Sequence, residues 1–222
     1  MSKTVVITGA NRGIGLELAR AYADAGYNLI LGVRSGVDQL EFAAEIVPLD
    51  VRSDASVRAF AAALDGRTVD ILINNAGIIG PERQAALDTD FDGFLETLNV
   101  NTLGPLRVTQ ALLPQLRRSA GAKVAIISSQ MGSMSYARSD HVAYRASKAA
   151  ANKVGQCLAT DLAAEGIALA LLHPGWVRTD MGGPNADLSP AESARGVKAV
   201  IDALTPATTG SFWDHDGATI AW

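Results

Sequence analysis

Short runs of consecutive apolar residues alternate along the chain with longer stretches in which apolar positions recur every three or four residues. Runs of the first kind, such as Thr4-Val5-Val6-Ile7-Thr8, Ile71-Leu72-Ile73 and Val124-Ala125-Ile126-Ile127, have no polar alternation, as expected of strands buried on both faces of a parallel sheet. The pattern predicts strands near 4–8, 28–33, 45–49, 69–74, 123–128, 167–173 and 210–214. It predicts helices near 14–25, 53–65, 91–118, 141–165 and 190–203, where the helical period dominates. Strands alternating with helices imply a doubly wound α/β (Rossmann) domain, with a mostly parallel seven-stranded sheet and helices on both faces. Ligands of such domains bind beyond the carboxyl ends of the strands, so residues at those ends are the first candidates for chemistry.

Composition narrows the class. At 222 residues and 48% hydrophobic content the chain can bury one full core, and it shows no repeat, low-complexity tract or linker, so residues 1–222 read as a single domain. A net charge of −4 with no basic run argues against nucleic acid as a partner. Cys157, the one cysteine, falls in a helical pattern, has no partner for an internal disulfide, and reads as a small core residue suited to a reducing compartment. Met1-Ser2-Lys3-Thr4 leads straight into a strand, and no apolar segment looks like a signal or a bilayer span. The expectation is a soluble, cytoplasmic protein with no membrane partner. His141 and His215 lack metal-ligand spacing, and no metal site is expected.

The first strand runs into Gly9-Ala10-Asn11-Arg12-Gly13-Ile14-Gly15 and then a helix. That arrangement presents backbone N–H groups and a helix dipole to a phosphate. Gly9 suits a tight turn, Gly13 a close backbone approach to a pyrophosphate, and Gly15 close packing of helix on strand. The spacing is Gly-x-x-x-Gly-x-Gly rather than the common G-x-G-x-x-G, so the flanking strand and helix carry the reading. Strand two lacks the acidic residue that binds the ribose hydroxyls of NAD and runs instead into Arg34. With Arg12 in the turn, it offers two cations to a 2′-phosphate, which favours NADP(H) and leaves NAD(H) possible. Asp50, before Val51 at the end of strand three, reads equally as an acceptor for the adenine amino group or as the start of a turn. Asn74-Asn75-Ala76-Gly77 follows strand four, where polar side chains could bridge adjacent strands and the glycine could let a cofactor lie against backbone.

Tyr144 and Lys148 stand four apart on a predicted helix, which brings a phenol and an ammonium side by side. Alone, the pair reads more readily as a half-buried ring beside a snorkelling lysine, and the rest of the chain reverses that balance. Asn101 is a mediocre helix former inside the 91–118 pattern; its side chain could disturb the helix and free a carbonyl for water. Ser128-Ser129 ends strand five, and His173-Pro174-Gly175-Trp176-Val177-Arg178-Thr179 follows strand six.

Taken in order, Thr8-Gly9-Ala10-Asn11-Arg12-Gly13-Ile14-Gly15, Asn74-Asn75-Ala76-Gly77, Asn101, Ser129, Tyr144 with Lys148, and Pro174-Gly175 with Thr179 resemble the motifs of the short-chain dehydrogenase/reductase family over most of the chain. The run from Tyr144 through Asn152 and the run from His173 to Met181 are similar to its small carbonyl-reductase branch, both sniffer-like and C-factor-like. The resemblance implies NADPH-dependent reduction of a small aldehyde, ketone or dicarbonyl. Tyr144 would give its proton to the carbonyl oxygen as hydride arrives from the nicotinamide, and the Lys148 ammonium and the oxidised ring would lower the phenol's pKa. Lys148 would also hold the nicotinamide ribose, Ser129 would orient the carbonyl, Asn101 would hold a water for proton resupply, and Thr179 would anchor the carboxamide. The resemblance places further cofactor contacts at Asn11, Ile14, Val51, Asn75, Ala76, Gly77, Pro174, Gly175 and Val177.

Two departures from the family pattern matter. The segment between Ser129 and Tyr144 is longer than usual, which leaves Ser128 and Ser129 as alternatives for the orienting serine. Residues 180–187 make a short, glycine-rich version of what is a substrate lid in many members, which points to an open pocket and broad specificity. Pocket walls are expected from Gln130, Met131, Met134, Tyr136, Trp176 and Met181. The alternative function is a dinucleotide-binding signalling or regulatory protein of C-factor type, since this fold hosts non-catalytic roles. Family members often pair through helices matching 91–118 and 141–165; homodimer, homotetramer and monomer all stay open.

Overall fold

A computed structural model of the chain describes residues 2–35 and 40–222. In chain order the strands are β1 (Thr4–Thr8), β2 (Asn28–Val33), β3 (Glu45–Pro48), β4 (Ile71–Asn74), β5 (Gln84–Ala85), β6 (Asp88–Thr89), β7 (Lys123–Ile127), β8 (Ala168–His173) and β9 (Ser211–Asp214). Seven of them form one sheet in the order β3-β2-β1-β4-β7-β8-β9, every neighbouring pair parallel, while β5 and β6 make a separate antiparallel ribbon. The chain winds outward from β1 to β3, then crosses back to β4 on the other side of β1. This reversal opens a crevice at the carboxyl ends of β1 and β4.

Helices α1 (Gly13–Asp24) and α7 (Pro190–Ala203) cover one face; α2 (Asp54–Ala63), α4 (Gly104–Ala111) and α6 (Val142–Ala163) cover the other. Alternate strand residues therefore enter two cores. Val5, Ile7, Leu29, Leu31 and Ile73 meet Leu18, Tyr22, Val197 and Ile201, whereas Val6, Ile30, Leu72, Val124 and Leu171 meet Phe60, Val108, Leu112 and Leu158. Both faces being covered is the reason these strands read as unbroken apolar runs. β9 lies at one edge of the sheet, and the residues after it fold back along it: Ile220 N–H donates to the Phe212 carbonyl and Trp213 bridges Thr219.

Two sequence expectations need correction. The stretch 91–118 is not one helix but α3 (Phe91–Leu98), a π-helical turn (Asn99–Leu103), α4 and α5 (Leu113–Leu116). Pro105 and Pro114, near the starts of α4 and α5, have no N–H to continue the ladder, and the Asn101 side chain leaves the helix to bond elsewhere. Cys157 is exposed rather than a core residue. The buried stripe of α6 runs through Ala151, Gly155, Leu158, Ala159 and Leu162, which turns position 157 to solvent. Among the described residues, no helix is long and apolar enough to cross a membrane.

Candidate active site

The glycine turn sits at the end of β1, against the segment that follows β4. Gly9 adopts φ +66°, and a Cβ there would lie 2.9 Å from the Ala76 Cα; one on Gly15 would lie 2.5 Å from the Gly9 carbonyl oxygen and 2.4 Å from Asn75 Nδ2. Both positions thus exclude a side chain, Gly9 also by conformation. Asn75 binds the two segments together: its Nδ2 donates to the carbonyls of Thr8 and Gly9, both at 3.0 Å, while Thr8 Oγ1 accepts the N–H groups of Asn75 and Ala76. The sequence expectation that Asn75 bridges adjacent strands is thereby met. α1 starts after Arg12 with no side-chain cap, so among the described residues no side chain claims its first-turn N–H groups. A bare cradle of this shape fits the pyrophosphate of a dinucleotide.

Beyond β7 and along α6 the candidate chemical groups converge. Tyr144 and Lys148 are both buried, one turn apart on α6, with Lys148 Nζ 5.6 Å from the centre of the Tyr144 ring. Lys148 Nζ donates to the Ile127 carbonyl at 2.8 Å, at the last residue of β7. Next come the two serines, and the structure separates them. Ser128 donates to Asn152 Oδ1 on α6, inside the core. Ser129 instead caps the short 3-10 turn Gln130–Gly132, its Oγ accepting the Met131 N–H, and its hydroxyl acts on the Tyr144 phenol by favouring the ionised form. That turn rests on the backbone of Lys148, where Gly132 leaves room for it: a Cβ would lie 2.7 Å from the Lys148 carbonyl carbon.

Asn101, in the π turn, uses its side chain on two neighbours. Oδ1 accepts the Ile78 N–H at 2.9 Å; Nδ2 donates to the Ile78 carbonyl at 2.8 Å and to Ser147 Oγ at 3.0 Å. Both Nδ2 protons are engaged by protein groups, so a water beside Asn101 would be held by acceptors: main-chain carbonyls or Oδ1 itself. Gly77 lies in the same corner, a Cβ on it being 3.2 Å from Asn101 Oδ1 and 3.7 Å from Lys148 Nζ.

Burial governs the electrostatics here. It pushes the Tyr144 phenol up to about 12, with the Ser129 hydroxyl opposing, and it pulls Lys148 down to about 8. The lowering expected for Tyr144 from its lysine neighbour is not what the protein's own groups produce. The phenol is instead held firmly in its acid form at neutral pH, the form a proton donor needs. Beneath the site, at the ends of β8 and β9, His173 is buried with an unpartnered Nδ1 and is pulled down to about 4, by burial first, with Asp214 opposing.

The remaining expected residues lie around this centre. Arg34 is exposed just after β2, and Arg12, also exposed, ion-pairs with Asp180 across the crevice. Asp50 is bound by Arg52 through both carboxylate oxygens, which holds its carboxyl below the usual range; Val51 is buried. Thr179 reaches the glycine turn, its Cγ2 3.3 Å from where a Gly13 Cβ would be. Ile14 packs against the α1 core. Pro174 is held by Ser193 through its carbonyl, and Gly175 turns the chain at φ +82°. The loop that follows is closed at its base by the Val177–Leu188 bridge and by Arg178, which donates to the carbonyls of Ala186 and Asp187. Of the expected pocket walls, Gln130, Met134, Tyr136, Trp176 and Met181 are exposed and Met131 is half-buried. Gln84 and Asp180, which touch the Tyr144 backbone and Arg12, had no sequence signal: one lies in a two-residue strand, the other in an irregular loop. Among the described residues no cluster of ligands could hold a metal ion.

Residues 3–188 match the family model described as short chain dehydrogenase. C-signal of Myxococcus xanthus is 48% identical over 169 residues, covering 75% of this chain and all of that one. The 1-hydroxy-2-glutathionyl-2-methyl-3-butene dehydrogenase of a Rhodococcus species is 37% identical, with 99% of each chain covered. Among solved structures, the NADPH-bound carbonyl reductase from chicken fatty liver superposes with a TM-score of 0.90 at 32% identity, covering 100% of this chain and 99% of that one. The carbonyl reductase Sniffer of D. melanogaster does so at 0.93 and 31%, with both chains fully covered.

Proposed function

Because the chain belongs to the short-chain dehydrogenase family, we propose that it is an NADP-dependent oxidoreductase that reduces the carbonyl group of a small aldehyde, ketone or dicarbonyl. The observation that carries this reading is the burial of Ser129, Tyr144 and Lys148, with Lys148 Nζ 3.7 Å from where a Cβ on Gly77 would be, in the segment that packs on the glycine turn. The cradle and the α1 N-terminus would hold the pyrophosphate, Arg34 and Arg12 the 2′-phosphate, and Thr179, Val177 and Lys148 the nicotinamide end. The NADPH in the chicken carbonyl reductase supports the same cofactor here. When bound, the reduced nicotinamide supplies the hydride.

This chain's residues do the rest. Ser129 Oγ hydrogen-bonds the substrate oxygen and fixes it beside the phenol, a positioning effect. Tyr144 Oη gives its proton to that oxygen as negative charge develops there; its raised pKa keeps the proton available at neutral pH. Lys148 contributes positive charge next to the tyrosinate that remains, and main-chain carbonyls of the π turn around Asn101 hold the water that returns a proton. The exposed Trp176 and Met181, on a loop braced at its base, leave the substrate side open, which suits varied small carbonyls over one large substrate.

A panel of reactive dicarbonyls and aldehydes with NADPH or NADH tests the reading. NADPH-dependent formation of the alcohol is expected. Tight NADPH binding with no turnover of any compound would refute the reductase assignment. A signalling role that needs dinucleotide binding alone is the second reading, favoured by the 48% identity to C-signal. It gives no reason for Tyr144, Lys148 and Ser129 to be buried together, and signalling output that persists in Tyr144→Phe would distinguish it.

A further inference from the structure

The helix carrying Tyr144 and Lys148 begins without a cap of its own. His141, at the N-cap position of α6, is in the left-handed region (φ 52°, ψ 46°) and its side chain makes no capping bond. The first intrahelical bond runs from Arg145 N–H to the His141 carbonyl, so the N–H of Tyr144 has no partner within the helix. A side-chain oxygen of the N-cap residue would ordinarily accept it. The acceptor is instead Gln84, sixty positions away in sequence: its Oε1 takes the Tyr144 N–H at 3.2 Å, and its Nε2 donates to the Ile79 carbonyl at 3.1 Å. Gln84 is buried, although Ala85, Ala86 and Leu87 beside it are exposed.

The carbonyl of the same residue is held from the same place. Ser147 Oγ donates to the Tyr144 carbonyl at 2.7 Å and accepts from Asn101 Nδ2, and Asn101 in turn grips both backbone groups of Ile78. The Tyr144 N–H is thus tied to Ile79 through Gln84, and its carbonyl to Ile78 through Ser147 and Asn101. Two adjacent residues anchor both sides of the tyrosine's backbone. Lys148 lies a turn further along, beyond the uncapped segment, with its own hold on Ile127.

We infer that Gln84 is a positioning residue for Tyr144: it replaces the missing N-cap of α6 and, with Asn101 and Ser147, clamps the tyrosine's backbone to Ile78 and Ile79. The inference rests on the proposed role of Tyr144 as proton donor. It predicts a split: loosening the first turn displaces the phenol from the substrate oxygen but leaves the lysine and the glycine cradle in place.

Two variants separate capping from mere space-filling. Gln84→Met keeps the length and the apolar bulk and removes the acceptor; Gln84→Glu keeps the acceptor and adds a charge that suits a helix N-terminus. Gln84→Met is expected to lower kcat roughly tenfold, well inside the hundredfold that an ångström of misplacement can cost. The KM for NADPH should stay within about twofold, and the Tyr144 amide should exchange with deuterium faster. Gln84→Glu should lie between Gln84→Met and the unaltered protein on both readouts. If Gln84 only fills space, the order reverses, because a buried charge is worse than a methionine. That reversed order, or a Gln84→Met protein with unchanged kcat and a protected Tyr144 amide, would overturn the inference. Amide exchange is read without turnover, so an unaltered protein that reduced no carbonyl would defeat the functional reading while the exchange result still decided the capping role.

Discussion

At the scale of single residues, the site is ruled by what burial does to a phenol and an amine of opposite charge response. Removing both from water favours the neutral form of each, raising Tyr144 to about 12 and lowering Lys148 to about 8. Below about 8 the lysine is an ammonium and the tyrosine a phenol, which is the pair the proposed carbonyl reduction would use. Raising the pH through about 8 removes the ammonium long before the phenol titrates. The rate of carbonyl reduction should therefore fall on the alkaline side near pH 8. A profile of kcat against pH that stayed level to pH 10 would show that the lysine's charge is not used. Spacing made this pair a candidate in the sequence, because four residues on a helix is a fixed geometric relation, and the motifs around it turned the candidate into a functional reading. The choice between Ser128 and Ser129 was not visible, since it depends on Asn152 claiming the first of them across the core.

At the scale of elements, legibility follows where each element gets its instructions. The inner strands β1, β2, β4, β7 and β8 are mostly apolar because both faces are covered, so a local pattern suffices to find them. The π turn and the β5–β6 ribbon are set by partners distant in sequence: Asn101 by Ile78, and Gln84 by Tyr144. No local period encodes such contacts, and the stretch 91–118 accordingly read as one helix. Cys157 was misplaced for a related reason. It lies in a helix whose apolar stripe is broad, and the packing of α6 on the sheet decides which edge is dry. The glycine turn, by contrast, is a local constraint with a sharp consequence. Gly15→Ala would drive a methyl into the Gly9 carbonyl and Asn75 Nδ2, both within 2.5 Å. Loss of NADPH binding is expected by fluorescence titration, with the thermal midpoint lowered; unchanged affinity would mean that the turn does not form the phosphate site.

At the scale of the whole molecule, the sheet brings residues from four strand ends to one crevice, and the same convergence creates a liability below it. His173 is neutral at physiological pH because burial pulls it down to about 4, against an ordinary value near 6.5. Between those values the unfolded chain binds a proton that the folded protein refuses, so stability is full above about pH 6.5 and declines as pH falls towards 4. The decline is on the order of a few kcal/mol, at ~1.4 kcal/mol per pH unit. His173→Asn should flatten this acid loss in thermal midpoints measured from pH 7 to 4; a slope identical to the unaltered protein would assign the loss to other groups. The reductase reading itself stands or falls on Tyr144, which the fold buries beside Ser129 and Lys148. Replacing Tyr144 with Phe keeps the ring and removes only the proton. The measurement is kcat for NADPH-dependent dicarbonyl reduction by Tyr144→Phe, with NADPH affinity determined on the same preparation. A fall of roughly a thousandfold with affinity unchanged is the predicted result; reduction within about tenfold of the unaltered protein would contradict proton donation by the tyrosine.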